Sequence, residues 1–141
     1  MKAGTAANPE AKRDSEPKKT GLPDGALSHD FDGDFQKTWD KTLETMMALP
    51  LISSDKTGGV ILTDWIVDPK YSKTDELPMF GAEPTLVRYR YVVRLHEKDG
   101  GTELLLVQLA QRSGSHVWVD RPPVKEAAEK LMDKIILNMG N

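Results

Sequence analysis

Apolar positions along the chain follow two periods, and the change of period marks the elements. Phe35, Trp39, Leu43, Met46 and Met47 form one helical stripe, with Asp32 or Asp34 as the cap in front and Pro50 as the stop behind. A second stripe runs through Val124, Ala127, Ala128, Leu131, Met132, Ile135, Ile136 and Met139. It opens at Pro122-Pro123 behind Asp120 and closes at Gly140. Between the stripes the period falls to two. Residues 51–55 and 60–67 read as strands joined by a turn at Thr57-Gly58-Gly59, and Asp68-Pro69 ends the second of them. Residues 70–83 read as a long loop. In 85–97, Val87, Tyr89, Tyr91, Val93 and Leu95 face one way while Leu86, Arg88, Arg90, Val92, Arg94 and His96 face the other. Lys98-Asp99-Gly100-Gly101 turns the chain into a strand over 102–112, and 117–119 is a last short strand.

The order α-β-β-β-β-β-α predicts an α+β fold. An antiparallel sheet of four to five strands carries the N- and C-terminal helices on one face, because each helix must bury its stripe and successive strands tend to be neighbours. Residues 1–30 hold no Val, Ile, Phe, Tyr or Trp and are interrupted by Pro9, Pro17 and Pro23, so they read as a disordered linker ahead of a single domain over 31–141. The 19 Lys and Arg against 22 Asp and Glu leave a net charge of −3, which argues against a nucleic-acid partner. The chain has no cysteine, which excludes thiol chemistry, and no apolar run long enough to cross a membrane as a helix.

Catalytic patterns are sparse. His29, His96 and His116 lack the spacing of metal ligands, and Asp30-Phe31-Asp32-Gly33-Asp34 has Lys41 where a calcium loop needs its bidentate Glu, so no metal and no cofactor is expected. Asp64 and Asp120 form a carboxylate pair only if the fold brings them together. Otherwise no catalytic residue stands out. A stripe of Arg88, Arg90 and Arg94 lies on one strand face, and the next strand, Leu104, Leu105, Leu106, Val107, Leu109 and Ala110, is apolar on both faces. A three-residue turn at Asp99-Gly100-Gly101 pairs Val93 with Val107 and Tyr91 with Leu109. Leu104 and Leu106 then stand outside beside Val92 and Arg94. The candidate partner-binding set is therefore Arg88, Arg90, Val92, Arg94, Leu104 and Leu106, an apolar patch rimmed by arginine. The alternative is that Leu77, Met79 and Phe80 of the long loop fold over this face.

Trp39 and Leu43, then Leu49-Pro50-Leu51, Ser54-Asp55, Gly58-Gly59-Val60-Ile61-Leu62-Thr63-Asp64-Trp65 and Trp118-Val119-Asp120 resemble a family of uncharacterised Gram-negative envelope lipoproteins. More distantly, the element order is similar to the helix-grip domains of BamC-like outer-membrane assembly lipoproteins. The resemblance implies a helix-grip-like fold and a place on the periplasmic side of the cell envelope. It also implies a lipid-anchored cysteine upstream of Met1, an envelope protein as partner, and no enzymatic activity. The expected function is a non-enzymatic interaction module in envelope assembly, touching the membrane only through that anchor. The alternative is a carrier of small apolar ligands or lipids, with Trp39, Trp65, Tyr89 and Tyr91 lining a helix-grip cavity.

Overall fold

A computed structural model describes residues 25–70, 85–114 and 116–140. Residues 1–24 and 71–84, which hold most of the expected linker and nearly all of the expected loop, lie outside the described residues.

The elements are β1 (Ala26–Phe31), α1 (Phe35–Met46), β2 (Leu51–Asp55), β3 (Val60–Thr63), β4 (Ile66–Val67), β5 (Val87–Lys98), β6 (Gly101–Ser113), β7 (Trp118–Arg121) and α2 (Lys125–Met139). Seven antiparallel strands make one sheet in the order β1-β6-β5-β3-β2, with β4 alongside β5 and β7 alongside β6. Two strands exceed the expected number. The stretch 60–67 divides at Asp64-Trp65 into β3 and β4. More instructive is β1, which lies, apart from Phe31, inside the segment expected to be a linker and pairs along its whole length with β6, from Ala26 opposite Val107 to Phe31 opposite Thr102. Its few apolar side chains gave no sequence signal. Main-chain bonding to the free edge of β6, burial of Ala26 and Phe31 and partial burial of Leu27 supply what composition lacked.

Asp34 caps α1 by accepting from the Lys37 amide at 2.8 Å. The helix buries Thr38, Trp39, Thr42 and Met46, whereas Met47 is 67% exposed, so the inward stripe is rotated away from the last residue assigned to it. Trp39 and Met46 of α1 share one core with Ala128, Leu131, Met132 and Ile135 of α2 and with Ile61, Tyr91, Val93, Leu95, Leu104 and Leu106 of the sheet. Both helices therefore cover the same face. Asn138 of α2 ties them together, its amide donating toward the Lys41 carbonyl and the Thr45 hydroxyl, each at 3.1 Å.

The β5–β6 hairpin differs from expectation by one residue. Asp99 and Gly100 both have positive φ, 51° and 82°, and form a two-residue turn with Lys98 opposite Gly101. Val93 accordingly pairs with Leu106 and Tyr91 with Gln108. Because side chains alternate, this shift turns Leu104 and Leu106 into the core, both with 0% exposure, and puts Leu105, Val107 and Leu109 on the opposite face. Leu104 and Leu106 are thus structural residues and no part of an outer surface.

Candidate functional site: the helix-free face of the sheet

The face turned away from the helices is built from alternate residues of successive strands. Across its middle, Leu62 of β3 lies opposite Val92 of β5, Val92 opposite Val107 of β6, and Val107 opposite Ala26 of β1, a continuous apolar row over four strands. Two rows flank it. On one side Val60, Arg94, Leu105 and Ser28 stand in line; on the other Arg90 pairs with Leu109, which is 45% exposed. Of the six residues expected here from sequence, Arg88, Arg90, Val92 and Arg94 are brought together and Leu104 and Leu106 are not. Leu105, Val107 and Leu109 take the latter two's place. The signal that locates them is Asp99-Gly100 itself, a pair suited to the two-residue turn that sets this register.

The three arginines differ in what holds them. Arg88 is held by two indole rings and one side-chain amide. Its guanidinium carbon lies 4.2 Å from the Trp65 ring centre and 3.9 Å from that of Trp118, and its Nε and Nη2 donate to Gln111 Oε1 at 3.1 and 2.7 Å. Gln111 in turn donates to Asp120 at 3.2 Å, across the β6–β7 pair. Desolvation between the indoles, together with Arg90 nearby, lowers the Arg88 pKa, and Asp64 partly offsets this. Arg88 is therefore a clamp that holds β4 and β7 over the sheet end. Arg90 lies 4.7 Å from Trp65 by its guanidinium carbon, and its buried Nε has no hydrogen-bond partner. Arg94 is exposed and has no carboxylate partner among the described residues. Glu103, the nearest acid in register, is engaged by His96 at 3.0 Å and Lys98 at 3.5 Å.

The two acids considered for hydrolysis have structural work. Asp64 accepts from the Trp65 amide at 2.7 Å, and Asp120 accepts from Gln111. Among the described residues no group of three or more His, Asp or Glu is arranged to hold a metal ion. On the helix side, Tyr89, Tyr91, Ile66 and Leu131 line a cleft of about 190 Å³ with Lys130 and Lys134 beside it, smaller than an ordinary ligand cavity. Of the aromatics expected to line a carrier cavity, Tyr89 and Tyr91 meet here. Trp39 is instead packed in the core against Phe35, and Trp65 stands on the other face of the sheet.

No curated protein matches the chain. Among solved structures, the fold is similar to that of a DUF4468 family protein from Bacteroides ovatus, with a TM-score of 0.51 and 15% identity over 93% of this chain and 97% of that one. At that identity the likeness concerns the fold alone. Residues 36–78, from α1 through β4 and beyond, match a family described as a domain of unknown function, DUF3576.

Proposed function

We propose that this chain is a non-enzymatic interaction domain of the bacterial cell envelope, docking a protein partner on the helix-free face of its sheet. One observation carries the reading. The apolar row Leu62–Val92–Val107 is bordered by an exposed Leu109 and by Arg90 and Arg94, neither of which has a carboxylate partner among the described residues. A solvated sheet face normally alternates polar residues outward, and an apolar patch with an arginine rim has the composition of an interface. The structural employment of Asp64 and Asp120 supports a binding role over a hydrolytic one. The envelope location rests on the resemblance carried by the string from Gly58 to Trp65.

Photocrosslinking in the native cell tests the reading. A photoreactive residue at position 109 should yield a discrete cross-linked partner, and one at position 137, exposed on α2, should not. Arg94→Glu should abolish the product from position 109. Cross-links only from the helix side would overturn the proposal, and a product confined to the cytosol would overturn the location.

A further inference from the structure

We infer that the partner presents an extended segment in which two carboxylate side chains stand four residues apart with an apolar residue midway, running along β5. The carboxylates meet Arg90 and Arg94, and the apolar side chain rests on Val92. The inference depends on the docking role just proposed for this face and specifies the chemistry of its partner.

Arg90, Val92 and Arg94 occupy alternate positions of one regular strand, so they share a face and place the two arginine Cα atoms about 13 Å apart. An extended partner has the same period, so its own alternate side chains fall into register with all three. A single compact anion cannot bridge that distance across Val92. Each cation also calls for an acceptor. Arg90 is half-buried beside Trp65 with its Nε turned inward, so a partner's carboxylate meets it through the terminal guanidinium nitrogens, which have no carboxylate among the described residues. Arg94 is exposed, while the nearby Glu103 is taken by His96 and Lys98. Arg88 belongs to the indole clamp and is left out of the recognition set. Leu105, Val107 and Leu109 lie alongside on β6 and give the segment an apolar flank.

The test uses two synthetic peptides of identical composition, capped at both ends and otherwise serine and threonine. One has Glu, Leu and Glu at alternate positions; the other has its two Glu three residues apart. Binding to the whole chain is followed by calorimetry at low salt and by the Arg90 Nε–H resonance. The matched peptide should bind about tenfold tighter than the mismatched one and shift that resonance. Arg90→Gln and Arg94→Gln should each weaken it about tenfold, with Arg90→Lys intermediate. Equal affinity for the two peptides, no binding of either, or indifference to both Gln variants would overturn the inference. So would binding only to anionic vesicles, which would assign the face to a membrane. If the position-109 cross-link persists through such a failure, the docking face stands and only the segment assignment falls. If that is lost as well, both fall.

Discussion

Gln108 holds both main-chain groups of Val124. Its Nε2 donates to the Val124 carbonyl at 3.0 Å, and its Oε1 accepts from the Val124 amide at 2.6 Å. Val124 is the residue before the first turn of α2 and has no side-chain cap of its own, and a buried amide on β6 anchors its main chain from across the core. Gln108→Leu leaves the buried Val124 amide unpaired, while the Val124 carbonyl keeps the bonds it accepts from the Ala127 and Ala128 amides. A loss of about 1–3 kcal/mol is expected in urea unfolding, with fraying of the start of α2 visible in hydrogen exchange. Unchanged stability would show that Gln108 does not anchor the start of α2.

The hairpin register makes opposite demands on neighbouring leucines. Leu104→Ala or Leu106→Ala, each in a fully buried site, should cost about 2–5 kcal/mol, and Leu109→Ser on the other face less than about 1 kcal/mol. Equal costs at positions 106 and 109 would contradict the two-residue turn.

Gly59 and Gly100 both have positive φ, yet they differ in their surroundings. A Cβ at Gly59 would overlap the Leu95 carbonyl oxygen, while at Gly100 nothing lies within 4 Å. Gly59→Ala should therefore cost about 3 kcal/mol or more, and Gly100→Asn, whose side chain tolerates that conformation, less than about 1 kcal/mol. Thermal unfolding of the two variants decides the contrast.

Arg88 between Trp65 and Trp118 should behave as a structural clamp. Arg88→Gln is expected to lose about 1–3 kcal/mol and to shift tryptophan emission, because both indoles lose their cation and Gln111 its donor. Arg88→Lys keeps the charge without the planar fork, so it should recover only part of that loss. Full recovery by Lys would show that charge alone matters.

Burial pushes the Tyr91 hydroxyl up to about 12; the hydrogen bond from Gln108 opposes this and Asp68 adds to it. The folded pKa lies above the unfolded value of about 10, so the protein favours the neutral phenol. The associated stability is complete below about pH 10 and is lost as pH rises toward 12, amounting to roughly 2–3 kcal/mol. Ultraviolet titration should show one tyrosine ionising late, and Tyr91→Phe should remove that component together with the alkaline loss of stability. Retention of both in the variant would exclude Tyr91 as their source.

The local period of the chain was enough to determine both helices, a cap at Asp32 or Asp34, the long central strands and the division of β5 into an apolar and a cationic face, because each depends on neighbours a few residues apart. Three features were decided only by tertiary structure. β1 exists because β6 offers it an edge, an energy that no composition of residues 26–31 records. The β5–β6 register follows from backbone angles at Asp99 and Gly100, and it places Gln108 in the core where an all-apolar alternative looked better. Val124, distant in sequence, and the Tyr91 hydroxyl together make a buried amide tolerable there. The clamp on Arg88 joins positions 65, 88 and 118, so which arginines stay open for a partner is settled by long-range packing and not by their shared spacing on the strand.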